Sequence, residues 1–108
     1  MARIDLYLDN LERHGAQALI LGTDQPVQLI VDGEVRRLRK SCASDEILTL
    51  VHEIMDATVR HQFVVDGNAR FAYRHPTAGP VSIEVTRSAA GLRCEIQRSR
   101  GRREAFES

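Results

Sequence analysis

The chain has 108 residues with 15 basic and 15 acidic side chains, 43% hydrophobic residues, no tryptophan and two cysteines. That size supports a single core burying roughly two-thirds of the unfolded surface, and zero net charge argues against a general nucleic-acid or membrane binder. The longest uncharged apolar runs, Ala16 to Thr23 and Val27 to Val31, fall far short of the about 20 residues a bilayer-spanning helix needs.

Ile4, Tyr7, Leu8 and Leu11 recur at helical spacing, with Asp5, Asp9, Glu12 and Arg13 on the other face and Gly15 at the C-cap position, which predicts an amphipathic helix over about residues 3–14. Ala18-Leu19-Ile20-Leu21 reads as a short buried strand, and Gly22 to Pro26 as a turn cluster. Val27, Leu29 and Val31 then alternate with Gln28, Ile30 and Asp32, and Val35 to Lys40 continues as an extended run. Asp32-Gly33 between those runs is a strong hairpin signal, because both residue types tolerate the positive φ of a type I′ turn.

Ser44 is placed as a helix N-cap, with Asp45 and Glu46 complementing the dipole in the first turn. Ile47, Leu48, Val51, Ile54 and Met55 form a wide apolar stripe, which Val59 and Phe63 extend as a second short helix from about Ala57. Asp66-Gly67 closes that region. Ala69–His75, Val81–Arg87 and Leu92–Arg98 read as three further strands, the middle one alternating cleanly enough to have one buried and one wet face. Strands gathered around central helices make this an α+β domain with a largely antiparallel sheet of about six strands. It is expected to occupy residues 1–98, followed by a flexible Arg-rich tail, 99–108.

The residues offer little catalytic chemistry. His52 and Glu53 are neighbours whose side chains diverge by about 100° on a helix, so they cannot share a metal. His14, His61 and His75 have no ligand set at i+3 or i+4. Cys42 and Cys94 stand alone and read as buried, inert thiols. No nucleophile elbow surrounds Ser41, Ser44, Ser82 or Ser88, and Lys40-Ser41 follows Arg39 where a P-loop needs glycine. No enzymatic activity, metal or cofactor is expected.

Charge is unevenly placed. Residues 98–108 carry Arg98, Arg100, Arg102 and Arg103 against Glu104 and Glu107, and Arg36, Arg37, Arg39 and Lys40 crowd the third predicted strand. The simpler reading is a solvated edge strand protected from aggregation, plus a solubilising terminus. The functional reading is a docking patch for an acidic partner or nucleic acid, and no aromatic residues interleave to stack bases.

His14-Gly15-Ala16-Gln17-Ala18-Leu19-Ile20-Leu21, followed by the run from Pro26 through Val31-Asp32-Gly33-Glu34-Val35-Arg36-Arg37-Leu38, resembles the N-terminal domain of the PilT/PilB/GspE family of type IV pilus and type II secretion ATPases. The resemblance runs on through Glu53-Ile54-Met55-Asp56, Val59 to Phe63 and the last three strands, covering nearly everything except the tail. It implies a PAS-like fold, in agreement with the element order read from the residues. It also exposes departures. Ser82 and Glu84 stand where the family's strand carries arginines that reach nucleotide, and Gln17 stands where its usual Ser-Asp pair begins. A carboxylate aimed at a triphosphate repels it, so the arginine-finger role is not expected here.

Taken with the absent motor sequence, the resemblance implies a non-enzymatic, cytoplasmic bacterial module that regulates by protein–protein interaction. Its expected partner is a pilus or secretion ATPase, or another component of such a machine, and nucleic acid is not expected. The contact surfaces would be the exposed faces of the hairpin Val27 to Leu38 and of helix 47–55, with Asp32, Gly33, Arg36, Arg37, Arg39 and Lys40 as interaction residues. Isologous dimerisation through an edge strand is a further expectation. The alternatives are a small-molecule sensor of PAS type, a dimeric secretion chaperone, and nucleic-acid binding through the arginines.

Overall fold

In a computed structural model, which describes residues 3–76 and 79–98, the helical spacing at the start of the chain becomes the core face of α1 (Ile4–His14). Ile4, Leu8 and Leu11 are completely buried there and Tyr7 nearly so, and Gly15 ends the helix in the left-handed region. Three strands follow: β1 (Ala18–Gly22), β2 (Pro26–Val31) and β3 (Glu34–Ser41). Asp32 and Gly33 join the last two with φ of 53° and 81°, the pair of positive values a type I′ turn requires. Then come α2 (Ser44–His52), α3 (Ala57–Asp66) and a meander of β4 (Asn68–His75), β5 (Gly79–Ser88) and β6 (Gly91–Arg98).

The six strands form one sheet in the order β3-β2-β1-β6-β5-β4, antiparallel at every junction. Its seam joins the first strand to the last, from Ala18 opposite Gln97 to Gly22 opposite Arg93, so hairpin and meander fuse into a single layer. Alternation decides the faces. Leu19, Leu21, Val27, Leu29, Val31, Val81, Ile83, Val85, Leu92, Cys94 and Ile96 share one core cluster with the apolar sides of the helices. Ile20, Gln28, Ser82, Glu84, Glu95 and Gln97 occupy the intervening positions on the other, open face. The PAS-like α+β expectation holds, with one N-terminal and two central helices. The expected tail, 99–108, lies outside the described residues.

Three local expectations are corrected. Ala43, not Ser44, occupies the N-cap of α2 in extended geometry, and the only side chain helping there is Glu46, whose carboxylate accepts from Ala43 N–H at 3.1 Å. Ser44 is drawn away because its hydroxyl hydrogen-bonds Thr23 Oγ1 at 2.7 Å. The helix expected over 47–55 ends early, α2 stopping at His52, while α3 begins at Ala57 as expected, with Asp56 capping it by accepting from Val59 N–H at 2.8 Å. Asp5, expected on the wet face of α1, is buried, because the Tyr73 hydroxyl reaches it from β4 and donates at 2.8 Å.

Candidate functional site

β3 is the outermost strand beside β2, and among the described residues no strand pairs with its other side. Every residue along it is exposed except Leu38, which is half-buried and packs on the core. Register assigns the faces. Arg36 lies opposite the buried Leu29 and Glu34 opposite Val31, so both point to the helix side, where Leu38 also packs on the core. Arg37 lies opposite Gln28 and Val35 opposite Ile30, so these point to the open face, and a register shift between Pro26 and Gln28 leaves Arg39 and Lys40 with no residue directly opposite. The sequence-predicted residues are thereby brought together on one edge, with Asp32 and Gly33 forming the turn at its start.

Several cations elsewhere have partners, although Arg13 and Arg74 have none among the described residues. Arg3 pairs with Glu53, Arg70 with Glu84 and Arg98 with Glu12. Arg60 donates to the His52 carbonyl at 2.7 Å, and Arg87 lies 4.8 Å above the Phe63 ring. Arg36, Arg37, Arg39 and Lys40 have no such partner among the described residues. Four cations within five positions stand solvated on a free backbone edge. Sequence reasoning located the cluster because it is contiguous; it had no signal for the missing counter-charges, which depend on what the fold brings alongside.

Helix 47–55 fares differently. Its inner side is core, with Ile47, Leu50, Val51 and Met55 buried, which leaves only its exposed face for contact. What α2 offers outward is Asp45, Glu46 and Thr49, which with Arg3, Leu6, Tyr7 and Leu50 line an open cleft of about 280 Å³ between α1 and α2.

On the open face, Ser82 and Glu84 sit on β5 opposite Gln97 and Glu95 of β6. With Arg70 and Arg98 they line a polar groove of about 200 Å³. Glu84 is already engaged by Arg70 at 3.2 Å, so this position presents a neutralised carboxylate rather than a phosphate-seeking cation.

Several other titratable side chains are buried or half-buried. Burial, then the bond to Asp5, pushes the Tyr73 hydroxyl up to about 12. Tyr7 is pushed up by burial and by its 3.2 Å contact with Cys42 Sγ. Burial pushes the Cys94 thiol up to about 12, which leaves it no thiolate to react with. His75 Nε2, at the end of β4, lies 3.0 Å from Asp9. Among the described residues no three of His, Cys, Asp and Glu gather as a metal site would need.

Comparison with solved structures finds the same fold in two ATPases. The pilus retraction motor PilT, solved with bound ADP, superposes with a TM-score of 0.77 at 15% identity over 90% of this chain. The ATPase DotB of Legionella pneumophila superposes with a TM-score of 0.74 at 16% identity over 88% of this chain. The chain corresponds to 29% of the PilT chain and 28% of DotB, under a third of either. The resemblance read from the sequence is thus matched in fold, consistent with the N-terminal domain of ATPases of this type. No family model matches the chain, nor does any curated protein. No helix among the described residues is long and apolar enough to cross a membrane.

Proposed function

We propose that this chain is a non-enzymatic, regulatory interaction module of bacterial type IV pilus or secretion machinery, acting in the cytoplasm by docking on an ATPase or another component of the machine. The observation that carries the reading is the fold shared with PilT and DotB, combined with a basic edge strand left without internal partners. The contact surface is the β2–β3 hairpin, with the exposed side of α2 as a second patch. Loss of nucleotide contact fits the same picture: Ser82 and Glu84 replace the expected arginines, and Glu84 is bound to Arg70. A sensor role is less favoured, because the space between sheet and helices is filled by Phe63, Ile4, Leu8, Leu19, Ile47 and Ile96 at full burial.

The test is co-purification of the tagged chain from its native host, with recovered proteins identified by mass spectrometry. Recovery of a pilus or secretion component at stoichiometric level is expected. Repeated recovery of none, under conditions where the tagged chain is abundant and folded, refutes the proposal. ATP hydrolysis by the purified chain would refute its non-enzymatic part.

A further inference from the structure

We propose that the outer edge of β3 is a strand-addition site for an extended acidic segment of the partner, which becomes the seventh strand of the sheet. This rests on the reading of the chain as a docking module and specifies the chemistry of what it meets.

In an antiparallel pair only alternate backbone groups bond to the neighbour, so half of the N–H and C=O groups of β3 face away from β2. Such a row is a template for another strand. Which strand it admits is decided by the side chains, because directly opposed residues bring their Cβ atoms to about 4.5–5.5 Å. Here the edge carries Arg36, Arg37, Arg39 and Lys40 against Glu34 alone. Protection from aggregation accounts for a cation or two on an edge. It does not call for four, distributed over both faces of the strand and all left unpaired while Arg3, Arg70 and Arg98 are neutralised by glutamates.

A second copy of the chain does not fit. Two β3 strands side by side would gather eight cations, twice the four of one strand, against two Glu34 carboxylates. The opposite edge, β4, carries Arg70, Arg74 and His75 with no acidic residue, so it is no better match. An acidic strand is complementary.

The pattern is more specific than negative charge. Arg36 and Arg37 are adjacent and point to opposite faces, Leu38 is half-buried against the core, and Arg39 and Lys40 follow where the register with β2 shifts. A strand in register therefore needs two consecutive carboxylates, one apolar residue opposite Leu38, and two further carboxylates. A merely amphipathic strand, acidic on one face only, leaves either Arg36 or Arg37 unmatched.

The probe is a fluorescent peptide, Thr-Glu-Glu-Val-Glu-Glu-Thr, titrated into the full chain by anisotropy, with amide exchange followed by NMR. Saturable binding is expected, with at least tenfold added protection at those β3 amides not bonded to β2. Arg37→Glu with Arg39→Glu should weaken the peptide at least tenfold while leaving the urea midpoint unchanged, since both side chains are exposed and unpartnered. The same peptide N-methylated at alternate residues keeps its charge and should also lose at least tenfold. Equal binding of the N-methylated peptide, or protection that appears elsewhere, overturns strand addition. Tighter binding of an oligothymidylate on the same amides overturns the choice of a protein partner. Co-purification separates the two readings. If the Arg37→Glu, Arg39→Glu chain still recovers a pilus or secretion component, docking stands and the β3 edge is not its site. If the peptide behaves as expected but the wild-type chain recovers no such component, the edge stands and the docking proposal falls.

Discussion

Replacing Gly91 by alanine tests the long-range junction that closes the sheet. Gly91 opens β6 with φ of 120°, a conformation that side-chain-bearing residues rarely adopt and that costs about 1–3 kcal/mol. A Cβ there would also come within 2.6 Å of the Thr23 Cβ, which no rotamer change can move because the backbone fixes it. Thr23 is itself held in place: its hydroxyl accepts from Leu92 N–H at 2.8 Å and hydrogen-bonds Ser44 Oγ at 2.7 Å, while its own N–H donates to Leu92 O at 3.0 Å. Making room means separating the ends of β1 and β6, with loss of one or two of these bonds at about 1 kcal/mol each. The sum is about 2–5 kcal/mol, a large part of the about 5–15 kcal/mol that stabilises a domain. Gly33→Ala is the control, since its φ of 81° is also left-handed but nothing lies within 4 Å of the added methyl. It should cost about 1–2 kcal/mol. Urea unfolding followed by circular dichroism reads both. If Gly91→Ala costs no more than Gly33→Ala, the junction is not the tight closure described here.

Three further outcomes follow from the core. Phe63→Ala should cost about 3–5 kcal/mol and raise amide exchange across 57–66 first, because Phe63 is the one fully buried side chain of α3 while Val64 and Val65 are exposed. Tyr73→Phe should cost about 1–3 kcal/mol by stranding the buried Asp5 carboxylate, and a matching Asp5→Asn, Tyr73→Phe pair should be less than additive in the same urea assay. Stability should fall as pH rises from about 9 to 12: the folded Cys94 and Tyr73 hold their protons up to about 12, against ordinary values of 9.0 and 10.0, so the unfolded chain loses protons first. Urea midpoints across that range check the sign, and Cys94→Ala should flatten the lower part of the slope.

Local chemistry made much of the fold readable. The α1 stripe, the Asp32-Gly33 turn and the alternation of Val81, Ile83 and Val85 each declare themselves within a few residues, and each is present in the structure. What the sequence concealed depends on partners distant in the chain. Asp5 belongs to the wet face of α1 by period, and only Tyr73, 68 positions away, makes its burial tolerable. Ser44 has the right chemistry for a cap, yet Thr23, 21 positions away, takes its hydroxyl. Thr23 and Gly91 carried no local signal at all.

The same distinction governs the candidate site. Zero net charge at first argues for an electrostatically unremarkable surface. The fold shows that neutrality is assembled unevenly, with Arg3, Arg70 and Arg98 each set against a glutamate, and β3 left with four unpaired cations. A chain that sets Glu84 beside Arg70 and Glu12 beside Arg98 gains nothing for its own stability by omitting such partners on β3, since exposed pairs contribute only about 0–1 kcal/mol either way. The omission matters for encounter instead. Unpaired charge on a free edge raises the approach rate of an acidic partner and repels basic ones, and both effects fade with salt. For the proposed docking role, what counts is therefore less which residues β3 carries than which counter-charges the fold withholds from it.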